Sequence, residues 1–115
     1  MDKKDNVILN KSFDFAADVL DFYELLIARK HFVLAKQVVR SGTSIGANVR
    51  EAQRVVSKAD FINKLGIALK EADETDYWFQ LIDKKLFSVN DNLRTDLEAI
   101  IRLLVTIINS SKGNR

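Results

Sequence analysis

The sequence contains no cysteine and no proline, and it has one histidine, one tryptophan and four glycines in 115 residues. Without cysteine there is no disulfide, no thiolate metal site and no cysteine nucleophile, which suits a reducing compartment. Without proline nothing removes a backbone donor or clashes with a preceding helical turn, as befits a chain that is mostly helix. A lone histidine cannot form a histidine pair on a metal, and His31, at a turn, is expected at the surface. No glycine-rich phosphate loop and no nucleophile elbow is present. No run approaches 18 apolar residues, so no membrane span is expected. Met1 to Lys11 mix acids and bases and lack the apolar core of a signal peptide. These absences lead to the expectation of a cytoplasmic protein with no catalytic residue, no metal, no cofactor, no small-molecule substrate and no membrane partner.

What remains is a chain that is 47% apolar and 30% charged. That balance excludes a disordered segment, and the length supports one hydrophobic core without staples. The formal net charge is only +2, but it is unevenly spread. Residues 1–29 carry four bases and six acids, and residues 59–89 again four and six. Residues 90–115 carry four bases and three acids, while residues 30–58 carry six bases and one acid. One basic element therefore sits in a neutral to acidic protein.

Apolar residues recur at three- and four-residue steps along almost the whole chain, the mark of core-facing helices. The spacing predicts four of them, over 12–28, 32–56, 58–86 and 91–110. In the first, Ser12 is read as the N-cap, with Phe15, Val19, Phe22 and Leu26 as the core stripe; Phe13, Leu20, Tyr23 and Ile27 widen that stripe enough to suggest a second contact, such as another subunit. In the second, Ser41, Gly42 and Gly46 resemble a break. Yet Leu34, Val38, Ile45, Val49, Ala52 and Val56 all fall within about 60° of one another around a helix, so the phase survives. One continuous helix is predicted, its glycines serving close packing. Ser57, with Asp60 three residues on, is read as the cap of the third helix, and Asn90 as the cap of the fourth; the tail Ser111 to Arg115 is expected to fray. Four amphipathic helices on short connections predict an all-α, up-down-up-down four-helix bundle, a single domain over 1–115 and a rod roughly 40 Å long.

The basic element is the strongest functional signal. On a helix, Lys36, Arg40, Arg50, Arg54 and Lys58 fall within an arc of about 80° opposite the apolar stripe; Arg29 would join them if the helix began early. Such a stripe suits a phosphate backbone, since each neutralised phosphate releases counterions and arginine adds bidentate geometry. It equally suits an ordinary solvated face, or one that meets acidic helices of a neighbouring subunit. Beside it run Ser41, Ser44, Asn48 and Glu51, at the border of the buried face. Buried polar groups need partners, so these four are read as setting register or assembly, through polar groups of the third helix or an adjoining subunit. Tyr77, Trp78 and Phe79 span most of a helical circumference. At least one must leave the core, and Trp78 is the anchor expected at an interface, with base stacking as the alternative use. The acids Glu71, Asp73, Glu74 and Asp76 lack the Glu-x-x-His pattern of di-iron bundles and read as a solvated or interface face.

The segment from Val39 to Ala52, with Arg40, Ser41, Ser44, Ile45, Asn48 and Glu51 in place, resembles the "RS-x-x-SI-x-x-N-x-x-E" signature of the bacterial four-helix bundle proteins encoded in intervening sequences of 23S ribosomal RNA genes. Phe61, the run Ile67 to Thr75, and Tyr77-Trp78 resemble the pattern of that family's third helix, and the likeness extends from Phe13 to Leu104. Ala52 departs from it, where many members have glycine. The resemblance implies a four-helix bundle assembled as a homopentamer. It also implies kinship with the accessory variability protein of diversity-generating retroelements, which works with a reverse transcriptase and its RNA. On that footing Lys36, Arg40, Arg50 and Arg54 become candidate nucleic-acid contacts.

Two functional readings result. One is a non-enzymatic oligomer that binds nucleic acid, RNA above all, or a ribonucleoprotein through its second helix. The other is a protein-binding scaffold without nucleic-acid contact, using Trp78 and the broad face of the first helix. A carboxylate-metal enzyme built on Glu71 and Glu74 is the remote third.

Overall fold

The structure, a computed structural model, describes residues 3–113, with side-chain packing from Val7 onward. It contains four helices, α1 (Lys3–Ala28), α2 (Phe32–Ala52), α3 (Lys58–Lys85) and α4 (Asp91–Gly113). Each helix packs on its neighbours in chain order, and α4 closes the square against α1. The result is the antiparallel four-helix bundle expected from the periodicity, a rod of 48 × 21 × 19 Å.

α1 starts well before Ser12. Ile8, Ser12, Phe15, Val19, Phe22 and Leu26 are all buried and alternate by four and three residues, the seam of one uninterrupted bundle helix. Ser12 is thus an interior residue and no N-cap: its hydroxyl donates to Leu9 O (3.2 Å) inside the helix. Its small side chain belongs to a close approach of α1 and α2. A β-carbon at Gly46 would stand 3.1 Å from Ser12 O, and one at Gly42 would stand 2.9 Å from both γ-carbons of Val19. Both glycines lie inside α2, which runs through the Ser41–Gly46 segment without a break.

α2 ends at Ala52, short of the expected Val56. The amides of Gln53 and Arg54 bond back only three residues, to Arg50 O and Glu51 O, tightening a last turn. Val56 keeps the helical phase on paper, yet it is 100% exposed because no neighbouring helix reaches it. The chain turns there because Ser57 takes an extended conformation and its hydroxyl accepts from the Asp60 amide (3.1 Å). Asn90 likewise accepts from the Asn92 amide (2.7 Å) at the start of α4. α1 ends on a Schellman motif, with His31 N–H donating to Leu26 O and Lys30 N–H to Ile27 O. Lys30 therefore carries φ 65°, where glycine is usual. α4 continues to Gly113; the last two residues of the predicted frayed tail, Asn114 and Arg115, lie outside the described residues.

The core is continuous. Phe15, Phe22 and Phe79 pack edge to face or tilted, among Leu26, Ile45, Leu65, Ile82, Leu97, Ile100 and Leu104. Each such side chain contributes about 1.5–3 kcal/mol on burial. Among the described residues no helix is long and apolar enough to cross a membrane.

Candidate nucleic-acid interface

The five predicted cations do not form one stripe. Only Lys36, Arg40 and Arg50 lie on α2. Arg54 sits in the α2–α3 connection, and Lys58 is the first residue of α3. Because α2 stops at Ala52, the helical projection that aligned these last two with Lys36 fails beyond that point. Arg29 does not join the group either. It caps the far end of α1, its guanidinium 4.2 Å from the centre of the Phe87 ring.

Arg40 is engaged elsewhere. Its guanidinium bridges two carboxylates one turn apart on α3, donating through Nη1 to Glu71 Oε1 (3.2 Å) and through Nη2 to Glu74 Oε2. The Trp78 indole N–H donates to the same Glu74 oxygen (3.1 Å). The bond from Arg40 holds the Glu74 carboxyl below the usual carboxylate range, against the opposing effect of partial burial and with help from the indole. Arg40 is held correspondingly above its ordinary value, first by its bond to Glu74. Trp78, expected to point outward, is therefore half-buried and tied to its own helix. Tyr77, 58% exposed and edge-on to the indole, is the aromatic that leaves the core.

The small polar residues fall into place as internal ties. Ser41 is fully buried, and its hydroxyl meets that of Thr75 on α3 (2.8 Å), the kind of third-helix partner its position calls for. Ser44 donates to Arg40 O (2.6 Å) and Asn48 to Ser44 O (2.8 Å), so both engage their own helix backbone. Glu51 accepts from Lys64 Nζ of α3 (2.6 Å).

Arg50 leans the other way, toward α1, its guanidinium 5.7 Å from the centre of the Phe13 ring. Phe13 is 61% exposed. Beneath this pair runs an apolar groove of about 310 Å³ lined by Leu9, Phe13, Ala16, Thr43, Gly46 and Ala47. The sequence pattern shows Phe13 only as widening the α1 stripe, and its meeting with Arg50 is not visible without the α1–α2 register. The one-turn spacing of Glu71 and Glu74 is a usable signal for an arginine clamp. No group of three or more metal-ligating side chains is present among the described residues.

The geometry has counterparts among known proteins. Residues 4–110 match the family model described as 23S rRNA-intervening sequence protein. No curated protein matches the chain. Among solved structures, a protein of unknown function from the S23 ribosomal protein family of Bacteroides thetaiotaomicron VPI-5482 is 46% identical, with a TM-score of 0.85. The match covers 92% of this chain and 98% of that one.

Proposed function

The chain belongs to the 23S rRNA-intervening sequence protein family, and from that premise we propose that it is a non-enzymatic, oligomeric bundle that binds RNA, or a ribonucleoprotein, through α2 and the α2–α3 connection. One observation carries this reading. Three acids of that face are engaged within the chain: Glu51 is paired with Lys64, and Glu71 and Glu74 share the single cation Arg40, which leaves one negative charge over. Lys36, Arg50, Arg54 and Lys58 are exposed and make no ion pair among the described residues. Four cations spread along α2 and its connection to α3 thus stand without an ion-pair partner among the described residues, which suits an extended polyanion. A homo-oligomer, with the pentamer that the family resemblance implies, would repeat this face and gain avidity.

The test is binding of an RNA and DNA panel at two salt concentrations. Wild type is expected to bind with log K falling against log salt at a slope of about −3 per chain, as four phosphate contacts require. The variant to compare is Arg50→Glu/Arg54→Glu, which spares the Arg40 clamp; it should lose binding. Absence of binding even at low salt would overturn the reading. The face would then serve protein contacts, for which exposed Tyr77 is the anchor to mutate. Light scattering that gives the mass of one chain would remove the oligomer.

A further inference from the structure

The opposite end of the rod carries a second basic cluster that no linear reading displays. There the α1–α2 turn meets the α3–α4 connection, with Arg29 on the Phe87 ring and the His31 ring 6.5 Å from it. This contact gathers Arg29 and Lys30 from one segment with Lys84 and Lys85 from another more than fifty residues away. All four are exposed, and none makes an ion pair among the described residues. Of the acids near the lysines, Asp83 is occupied by Arg94 and by the Val89 amide, while Asp91 is exposed at the start of α4.

Cations at the ends of α1 and α3 complement the helix dipoles, and that alone would account for their charge. It does not account for their neighbours. Phe32 is 55% exposed, Val33 76% and Leu86 39%, all in the same two segments. Large apolar side chains grouped at an exposed tip mark an interaction surface. The surface lies at the end of a rod 48 Å long. Two of the three apolar groups are aliphatic and offer no face on which a base can stack. Three of the four cations are lysines, point charges on flexible stems that suit a diffuse negative surface better than a shaped ligand. Apolar groups that can enter an acyl boundary, ringed by cations that meet anionic headgroups, fit the interface of a bilayer.

We propose that this tip is a peripheral contact site for an anionic lipid surface, with Phe32, Val33 and Leu86 entering the headgroup boundary and Arg29, Lys30, Lys84 and Lys85 engaging the phosphates. The sequence-based expectation of no membrane partner rested on the lack of a spanning segment, which a surface contact does not need.

The experiment is flotation of the full chain with phosphatidylcholine vesicles, with and without phosphatidylserine, circular dichroism verifying that each variant is folded. Wild type should float with phosphatidylserine vesicles alone. Lys84→Gln/Lys85→Gln should weaken that binding about thirtyfold, from roughly 1 kcal/mol for each basic residue at the surface. Phe32→Ser/Val33→Ser should weaken it as well, while Arg50→Glu/Arg54→Glu, at the other end of the rod, should leave it unchanged. Failure of the wild type to float overturns the proposal. So does full binding by Phe32→Ser/Val33→Ser, which would reduce the tip to a charge patch. Loss of RNA binding in the tip variants, without vesicle binding by wild type, would reassign the cluster to nucleic acid.

Discussion

Ser41 on α2 and Thr75 on α3 place their hydroxyl oxygens 2.8 Å apart in a part of the interface from which water is fully excluded. Thr75 also lies 2.8 Å from Glu71 O of its own helix, so the pair is satisfied both across and along the bundle. Breaking one side strands the other. Ser41→Ala or Thr75→Val should each destabilise by about 1–3 kcal/mol, and the double variant by less than the sum. Denaturant unfolding in a double-mutant cycle checks this; strict additivity would mean that the hydroxyls do not interact.

Three glycines within helices should respond to alanine with different signs. A β-carbon at Gly66 would meet nothing within 4 Å, so Gly66→Ala should gain up to about 1 kcal/mol of helix propensity. Gly46→Ala should be destabilising, because its β-carbon would press on the Ser12 backbone, which cannot rotate away. Gly42→Ala meets the branched, fully buried Val19, where overpacking costs about 1–3 kcal/mol. That cost should shrink in a Val19→Ala background. Thermal melts of the single variants and of the Gly42/Val19 pair give all four signs.

Lys30 holds a left-handed conformation without the freedom of glycine. Lys30→Gly should therefore stabilise the chain by about 1 kcal/mol, read as a higher urea midpoint at unchanged slope. No gain would mean that the lysine's own contacts offset its strain.

The helical phase through Ser41–Gly46 was legible in the sequence because the apolar stripe keeps one phase across the glycines; that α1 packs closely against them was not. The caps Ser57 and Asn90 were legible because capping is local. Two of the misplaced boundaries had a common cause. Ser12 has the chemistry of a cap and Val56 the phase of a core residue, but what each does depends on whether another helix lies beside it. The engagement of Arg40 was hidden for the same reason: the sequence displays charge, while Arg40's value depends on two carboxylates more than thirty residues away. The tip cluster was out of reach for the same reason, since it is assembled from two connections.

The clamp on Glu74 makes a pH prediction. A carboxyl whose folded pKa is depressed adds stability that is present above the unfolded carboxylate range and is lost as pH falls through the folded value. Arg40 and Glu74 are both partly exposed, so the effect on stability should stay within about 1 kcal/mol. The sharper readout is Trp78, the sole tryptophan, whose indole bonds to that carboxylate. Its fluorescence should titrate with an acid midpoint that moves upward in Arg40→Gln. An unmoved midpoint would mean that Arg40 does not hold the carboxylate in solution.

The bare connection around Val56 has a consequence for how the molecule can be divided. A cut there severs no core contact and leaves two helical hairpins, α1–α2 and α3–α4, each a complete mating half of the other. The chain is in effect a covalently tethered heterodimer of hairpins, with the tether itself part of the proposed RNA-binding surface. Anything that grips Arg54 and Lys58 together holds the two halves at their seam.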